Sequence, residues 1–265
     1  MIGVGRHGGR YARHLCEDFP SVRLAGIWRR NRDEAARQAV EFGCAAYDDV
    51  SGLIGSKDVD ALVVVVPPTM HREIVCAALE CGKPLLLEKP AAVNLEDGAA
   101  MIEAMRRNSV PVMVAQTLRF NGVVRALLAE RESIGRIHAV RISQRFEPSR
   151  PGWIDDPGVA GGGVMLHTGV HSFDLLRHLT GLEATAVSCA ISRVGTARTE
   201  DNFVATVRLS DGVALASIAG SRATASRTGP IELAGEFGQL VGDHVQNSAF
   251  LVRGTSVVPL PLPAA

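Results

Sequence analysis

The stretch Gly3-Val4-Gly5-Arg6-His7-Gly8 decides the fold that we predict for this chain. In the Gly-x-Gly-x-x-Gly pattern the first glycine permits a tight turn, the second lets backbone approach a pyrophosphate, and the third lets a helix pack closely on a strand. The free N–H groups at the start of that helix can bind phosphates. A lone glycine pattern is weak evidence. Its context strengthens it here, because helical spacing follows at residues 11–19 and a strand pattern at residues 22–28.

Outward from this loop, helical and strand patterns alternate through the first half of the chain. Predicted helices cover residues 33–42, 72–80 and 95–107, and predicted strands cover residues 61–66, 85–87 and 110–115. Such alternation is typical of a parallel, doubly wound sheet. We therefore predict an α/β, Rossmann-like dinucleotide-binding domain over residues 1–120.

The strand that should precede the glycine loop is reduced to Met1-Ile2. In a doubly wound sheet this strand is central, so its loss is expected to expose the edges of two neighbours. The pattern predicts a truncated first strand, in a chain that is itself truncated or begins at an internal methionine.

The second half of the chain has a different pattern. Helices are predicted at residues 123–130 and 165–179, and strands at residues 136–146, 185–193, 202–209, 213–221 and 231–236. Runs of strands with segregated helices are typical of an α+β domain on a mostly antiparallel, open sheet. We predict that residues 121–265 form this second domain, which binds the substrate and builds the oligomer.

Composition excludes several classes of partner. Lys plus Arg equals Asp plus Glu at 28 each over 265 residues, so the formal net charge is zero and neither nucleic acid nor a membrane surface is an expected partner. Charged residues or proline interrupt every apolar run before it could span a bilayer. The five cysteines are scattered and no signal-peptide pattern is present, which indicates a cytoplasmic protein.

Leu85-Leu86-Leu87-Glu88-Lys89-Pro90 places two charged residues at the end of an apolar strand. Ligands of open α/β sheets bind outside the carboxyl ends of the strands, where Lys89 would point. In a partly closed cleft the pKa of a lysine can fall far enough for proton exchange near neutrality. The alternative is a surface Glu–Lys pair at a strand end.

The second predicted strand ends in Trp28-Arg29-Arg30-Asn31, where an acidic residue usually binds the adenosine ribose. A carboxylate would repel a 2′-phosphate, whereas Arg29 and Arg30 can bind it through charge-assisted hydrogen bonds. We therefore expect NADP as the preferred cofactor over NAD. The alternative is a solvated basic turn.

His167, His171, Asp174 and His178 follow helical spacing and are expected on one helical face. Histidine can take the proton of a substrate hydroxyl as hydride leaves. His-x-x-x-His also suits zinc, but Thr168 stands where the hydrolytic His-Glu-x-x-His pattern has glutamate, and the sequence offers no third ligand. We therefore predict no metal site.

Several motifs in order resemble one family. These are the glycine loop, Val63-Val-Val-Val-Pro-Pro-Thr-Met-His71, Glu88-Lys89-Pro90, Gln116-Thr-Leu-Arg119-Phe120-Asn121 and Gly161-Gly-Gly-Val-Met-Leu-His167-Thr-Gly-Val-His171-Ser-Phe-Asp174. The chain resembles, over nearly its whole length, the glucose–fructose oxidoreductase / inositol dehydrogenase (Gfo/Idh/MocA) family of NAD(P)-dependent oxidoreductases. The resemblance implies hydride transfer between nicotinamide and a secondary alcohol or ketone of a sugar, cyclitol or related polyol, and a homodimer or homotetramer.

The resemblance also implies roles for individual residues. Lys89 and His171, one from each domain, would be catalytic and converge on the reacting carbon, and the Lys89–Pro90 bond would be cis. The cofactor-binding set would be Gly3, Gly5, Arg6, His7, Gly8, Arg29, Arg30, Pro67, Pro68, His71, Glu88 and Lys89. The substrate-binding set would be Arg119, Trp153, His167 and His171. His167 stands where the family usually has aspartate, and the carboxyl end is shorter than in family members.

Three alternatives remain at this stage. The chain could be a catalytically silent relative that binds cofactor or sugar as a sensor or scaffold, which the His167 departure favours and intact Lys89 and His171 oppose. It could reduce a non-sugar ligand such as a linear tetrapyrrole. Arg119 could equally favour an anionic substrate.

Overall fold

The computed structural model describes residues 1–148 and 152–263. It divides into two compact units, Met1–Ala115 and Gln116–Ala265. The predicted boundary lies at Phe120, so the structure groups the short segment before Phe120 with the second unit. The cofactor and substrate roles of the two domains stay predictions.

The first unit alternates strands and helices, as the sequence pattern predicts. Its helices are α1 (Gly8–Glu17), α2 (Arg32–Phe42), α3 (Val50–Gly55), α4 (His71–Glu80) and α5 (Leu95–Asn108). Its strands are β1 (Gly26–Ile27), β2 (Ala45–Ala46), β3 (Leu62–Val64), β4 (Leu85–Leu87) and β5 (Val112–Val114). Helix α3 and strand β2 were not predicted, because both are shorter than the window in which a period can be recognised.

Ile2 occupies the central strand position of this unit. It forms parallel bridges to Trp28 on one side and to Val64 on the other, and so joins β2–β1 to β3–β4–β5. The resulting order, β2-β1-Ile2-β3-β4-β5, is that of a doubly wound dinucleotide-binding sheet. All strand pairs in the unit are parallel, which confirms the predicted fold class.

The first strand is as short as the sequence indicates. Met1 and Ile2 bond the neighbouring strands only near their carboxyl ends, where Ile2 N–H donates to Val63 O at 2.8 Å and Trp28 N–H donates to Met1 O at 2.9 Å. Towards the amino ends of the sheet, residues 22–26 and 61–63 line a groove of about 700 Å³.

The glycine loop folds tightly against β3. Gly3 has φ +90°, and a Cβ on it would lie 2.1 Å from Val65 O, so both the conformation and the close approach require glycine. A Cβ on Gly8 would lie 2.0 Å from Gly3 O. Helix α1 therefore begins inside the loop, at Gly8, three residues before the start that periodicity predicts.

The second unit is built on one eight-stranded sheet. Its strands are β6 (Ile137–Arg145), β7 (Ala184–Ser192), β8 (Asn202–Leu209), β9 (Leu215–Ser221), β10 (Pro230–Gly235), β11 (Gly238–Asp243), β12 (Ser248–Arg253) and β13 (Ser256–Pro259). Their order is β13-β12-β11-β10-β6-β9-β8-β7, and only β6 and β9 pair in parallel. The predicted mostly antiparallel, open sheet is confirmed. Strands β11 to β13 were not predicted, since their short runs do not alternate cleanly.

Helices of the second unit cover one face of this sheet. They are α6 (Gly122–Ala129), α7 (Pro157–Ala160) and α8 (Val170–Thr180), with a π-helical turn at Met165–Gly169 directly before α8. The shared core contains Leu127 of α6, Leu176 of α8 and the fully buried Phe203 of β8. In the part of the chain that the structure describes, no helix is long and apolar enough to cross a bilayer.

Candidate active site

Lys89 lies directly after β4, at the carboxyl end of a strand flanked by β3 and β5. The Glu88 N–H donates to Val64 O at 2.9 Å, which continues the ladder by one residue before the chain turns. The Lys89–Pro90 bond is cis, as the family resemblance implies. The sequence therefore located this strand end correctly, down to the residue at which the strand stops.

The Glu88 carboxylate connects the glycine loop to the lysine. Its Oε1 lies 2.8 Å from His7 Nε2 and accepts a hydrogen bond from the Tyr11 hydroxyl at 3.0 Å, while its Oε2 accepts the backbone N–H of Lys89 at 2.7 Å. Burial by itself raises the pKa of Glu88, but the His7 hydrogen bond, the Lys89 charge and the Tyr11 hydrogen bond outweigh it and lower the pKa. The carboxylate is therefore held ionised although Glu88 is buried.

Tyr11 is a site residue that the sequence reasoning missed. Burial first, then the charge and hydrogen bond of Glu88, raise the pKa of Tyr11 well above its ordinary value. Tyr11 thus stays protonated and donates. The available signal was its spacing: Tyr11 lies four residues after His7, and their rings contact edge to face with centroids 5.5 Å apart.

His71, predicted near the nicotinamide-side ribose, is fully buried. Its Nδ1 lies 3.0 Å from Pro90 O and 3.2 Å from Ala91 O, and its Nε2 lies 3.2 Å from Val66 O. Burial lowers the pKa of His71 despite these carbonyls. The ring therefore supports the turn after Lys89, and a direct role in cofactor binding stays a prediction.

Pro67 and Pro68 follow β3 and begin the short turn that leads to His71 at the start of α4. Pro67 is half-buried and Pro68 is buried. Both thus lie after the carboxyl end of a strand adjacent to β4, which is the edge where a ligand of this sheet type binds.

Arg29 and Arg30, the residues predicted to bind a 2′-phosphate, differ in their surroundings. Arg29 Nη1 donates to Val4 O at 3.4 Å, to Glu34 Oε2 at 3.3 Å and to Gln38 Oε1 at 3.1 Å, so its side chain is turned towards the loop and α2. Arg30 is exposed, as is Arg6 in the glycine loop. Of the two arginines at the end of β1, Arg30 is thus the more accessible to a phosphate.

In the second unit, Gln116 orients the His171 ring. The Gln116 Oε1 lies 2.9 Å from His171 Nδ1, and a carbonyl-type oxygen can only accept a hydrogen bond. Nδ1 therefore carries the proton in the neutral ring, and Nε2 is the nitrogen that can accept one. This is the tautomer that a general base requires at Nε2.

Arg119 forms a two-point ion pair with Asp174. The Arg119 Nε and Nη2 donate to the two carboxylate oxygens at 2.8 and 2.6 Å. The hydrogen bond to Asp174 raises the pKa of Arg119, and Asp174 neutralises its charge. The partner of Asp174 is thus Arg119, which lies in the segment before α6. This pair was not predicted from the sequence.

His167 does not share the helical surroundings of His171. It lies inside the π-helical turn, where the α-helical spacing between the two residues does not hold, and it is buried with Nε2 3.0 Å from Ala160 O. The π-helical turn means that His167 does not lie in regular α-helix, and its place on one face with His171, Asp174 and His178 stays a prediction. Trp153 contacts the His167 ring edge to face at 5.8 Å.

Asp155 anchors the segment that carries Trp153. Its carboxylate accepts backbone N–H groups of Ala197, Arg198 and Thr199 at 2.8–3.0 Å and the Thr199 hydroxyl at 2.9 Å. These donors, the Thr199 and Ala197 amides foremost, hold the pKa of Asp155 far below its ordinary value. The sequence analysis did not identify Asp155 as a site residue.

The Gly161-Gly162-Gly163 segment packs against protein. A Cβ on Gly163 would lie 2.0 Å from Glu200 O, and the Gly163 N–H donates to both Glu200 carboxylate oxygens at 3.1 Å. The backbone of Gly163 thus approaches Glu200 closely, which leaves no room for a side chain at this position. Within the described residues, no three His, Cys, Asp or Glu side chains come together as a possible metal-binding group.

Two family models match this chain, one within each of the two predicted domains. Residues 1–116 match the model of an oxidoreductase family with an NAD-binding Rossmann fold, and residues 123–241 match the GFO/IDH/MocA C-terminal domain. The chain belongs to the GFO/IDH/MocA oxidoreductase family. It is therefore an oxidoreductase whose first domain has the NAD-binding Rossmann fold of this family, as the motifs indicated.

Named relatives support this assignment. A 1,5-anhydro-D-fructose reductase of Ensifer adhaerens is 34% identical over 84% of this chain and 68% of that protein. A myo-inositol 2-dehydrogenase of Thermotoga maritima is 30% identical over 95% of this chain and 77% of that protein. The structure of levoglucosan dehydrogenase with NADH and levoglucosan has a TM-score of 0.87 at 25% identity, covering 97% of this chain and 78% of that chain.

The first unit fits the dinucleotide that its family binds. A Cβ on Gly5 would meet no atom within 4 Å, so that stretch of the loop presents bare backbone. Gly8 opens α1, and N–H groups at the start of a helix can bind phosphates. The loop thus suits a pyrophosphate, and the cofactor-binding roles of Gly3, Gly5, Arg6, His7 and Gly8 stay predictions.

Proposed function

We propose that this oxidoreductase transfers hydride between a nicotinamide cofactor and the secondary alcohol or ketone carbon of a sugar, cyclitol or related polyol. One observation carries the proposal most: the 2.8 Å contact between His7 and Glu88 joins the dinucleotide loop to the residue before Lys89. This link to the cofactor loop supports a role for Lys89 in proton transfer over a surface ion pair. The relatives named above are reductases and dehydrogenases of such compounds, and none of them supports a silent sensor.

Two residues would handle the proton. Oxidation of an alcohol releases a hydride from carbon and a proton from the hydroxyl, and bound nicotinamide supplies the C4 position that takes the hydride. His171 Nε2 would accept the hydroxyl proton, since Gln116 holds the ring proton on Nδ1. The Lys89 ammonium would donate a hydrogen bond to the same oxygen and stabilise the charge that develops on it. In reduction the same groups act in reverse.

The preferred cofactor would be NADP. Arg30 is exposed at the end of β1, and no carboxylate precedes it where an NAD-specific site has one. Arg29 would contribute less, because Glu34 and Gln38 already accept from it. We expect Arg30→Ala to raise the KM for NADPH about tenfold and to leave the KM for NADH within twofold, a loss equivalent to one charge-assisted hydrogen bond. An equal effect on both cofactors would contradict the assignment.

The substrate would be an uncharged polyol. Arg119 is the cation expected to select an anionic substrate, but Asp174 already accepts hydrogen bonds from two of its three guanidinium nitrogens. Trp153 and His167 would line the substrate pocket as an aromatic surface, and aromatic rings commonly pack on the apolar faces of sugars. Since Asp174 offsets the charge of Arg119, we propose a neutral sugar-like ligand over an anionic one or a linear tetrapyrrole.

The chain would form a homodimer or homotetramer in the cytoplasm. Val204 on β8 and Leu215 on β9 lie on the sheet face opposite the helices and are about half exposed, at 55% and 51%. Light scattering after gel filtration tests the oligomeric state. A monomer at micromolar concentration would contradict this part of the proposal.

A substrate panel tests the whole proposal. The purified chain is assayed with NADP⁺, NAD⁺, NADPH and NADH against myo-inositol, scyllo-inositol, 1,5-anhydro-D-fructose, levoglucosan and UDP-N-acetylglucosamine. We expect turnover with at least one neutral compound and a higher kcat/KM with the phosphorylated cofactor. Cofactor binding without turnover of any compound, unchanged by Lys89→Ala, would favour the sensor.

A further inference from the structure

We propose that Tyr11 is a positioning residue for Lys89 and acts through the carboxylate of Glu88. The proposal rests on the function proposed above, in which Lys89 contacts the reacting oxygen. Tyr11 itself belongs to none of the motifs that define the family resemblance.

The two oxygens of Glu88 have different partners. Oε1 accepts the Tyr11 hydroxyl at 3.0 Å and lies 2.8 Å from His7 Nε2, whereas Oε2 accepts the Lys89 backbone N–H at 2.7 Å. The carboxylate is planar, so a rotation that frees Oε1 also moves Oε2. The side chains of His7, in the glycine loop, and Tyr11, in α1, thereby determine where the Lys89 amide is held.

Tyr11 is the more constant of the two donors. His7 is 55% exposed and can rotate into solvent, while Tyr11 is half-buried and keeps its proton because burial and Glu88 raise its pKa. Without the Tyr11 hydroxyl, Oε1 would depend on His7 alone. The groups that interact with the Glu88 charge are His7, Tyr11, Lys89 and, at longer range, His71.

Burial makes the arrangement sensitive to a single donor. A buried carboxylate that loses a hydrogen bond has no water to replace it, so the cost exceeds that of a surface bond. The lost donor also lets the pKa of Glu88 rise, because that hydrogen bond helps to lower it. Tyr11→Phe should therefore loosen Lys89 and raise the pH at which Glu88 takes up a proton.

The chain offers a matched control. It has two tyrosines, and Tyr47, also in the first unit, donates its hydroxyl to Ser56 Oγ at 2.9 Å. The Tyr47→Phe variant also removes one tyrosine hydroxyl and its hydrogen bond, but that hydrogen bond is made to Ser56 and does not involve Glu88. General effects of losing a tyrosine hydroxyl in this unit will appear in both variants.

A measurement independent of turnover uses the three lysines of the chain, Lys57, Lys83 and Lys89. Labelling with ¹⁵N-lysine gives three backbone amide signals, which Lys57→Arg and Lys89→Arg assign. We expect Tyr11→Phe to move the Lys89 amide signal at neutral pH and to raise the midpoint of its acid titration. Tyr47→Phe should leave that signal in place. An unmoved Lys89 signal in Tyr11→Phe, or an equal shift in both variants, would overturn the proposal.

Kinetics then test the consequence for the reaction. With the panel compound that the wild type turns over, Tyr11→Phe should lower kcat about tenfold, equivalent to about 1.4 kcal/mol, and leave the Kd of NADPH within twofold. A loss confined to the Kd, or a kcat equal to that of Tyr47→Phe, would contradict positioning. If the wild type turns over no compound, the proposed function fails, and the amide signals alone decide whether Tyr11 positions Lys89.

Discussion

Two polar regions of this chain carry the residues expected to move a proton, and they are built differently. The Lys89 region lies at a strand end, where the local motif sets the position, and the glycine loop and α1 supply the partners of Glu88. The His171 region lies in a helix, in which His171 follows a π-helical turn that contains the buried His167. The end of a strand is thus predictable from a local apolar run, whereas the π-helical turn was not predicted from the spacing of the histidines.

The largest effect on activity is expected from substitution of Lys89, at the strand end. Lys89→Ala removes the group that polarises the substrate oxygen, and a positioned acid–base group contributes about 10²–10⁴-fold in rate. We expect kcat/KM to fall about 10³-fold, with little change in the melting temperature. Lys57→Ala, which removes an exposed lysine, is the control and should keep full activity. Residual activity above a tenth of wild type would remove Lys89 from the mechanism.

The two histidines should then separate activity from stability. His171→Ala should lower kcat about 10²-fold through loss of the base, with a small effect on folding. His167→Ala leaves the buried Ala160 carbonyl without its partner and should lower the free energy of unfolding by about 1–3 kcal/mol. Steady-state kinetics and urea unfolding of both variants measure the difference. Equal activity losses in the two variants would contradict the expectation that His171 acts mainly in catalysis and His167 mainly in stability.

A smaller effect is expected at Gln116. Gln116→Leu removes the acceptor at His171 Nδ1, so the ring is no longer held in one tautomer, and kcat should fall about tenfold. The pH at which activity is half lost should move as well. Gln239→Leu, at an exposed position of β11, serves as control. An unchanged kcat and pH profile in Gln116→Leu would show that the ring is oriented by other contacts.

The pH dependence of stability should be modest. Burial lowers the pKa of His71, His178 and His244 from 6.5, so the unfolded chain binds these protons more readily than the folded one. Stability is then complete above pH 6.5 and decreases as the pH falls through that value. Urea unfolding between pH 8 and pH 5.5 should show this decrease, and His71→Gln should flatten it more than the exposed His138→Gln. Glu88 adds its own loss only below its ordinary value of 4.5, since its pKa is lowered.

Predictability differed with the length and regularity of each segment. Helix α5 and strands β8 and β9 were placed within a few residues, because long periodic runs identify their elements. Strands β11 to β13 were not predicted, although Gly254 with φ +56° marks the turn between the last two. Asp155 and Tyr11 were also missed, since their partners are 42 or more residues away and no local pattern indicates them.

The sequence by itself determined the dinucleotide loop, the alternation of strands and helices around it, and the position of Lys89 after an apolar strand. These features depend on backbone geometry within a few residues, such as the conformation that Gly3 adopts and the turn that must follow Leu87. Tertiary structure alone decided which groups hold Glu88, which nitrogen of His171 carries the proton, and that His167 is buried. The first two outcomes depend on hydrogen bonds between segments distant in the chain, and the third on a bond from His167 back to Ala160 across an irregular segment; only folding brings these donors and acceptors within about 3 Å.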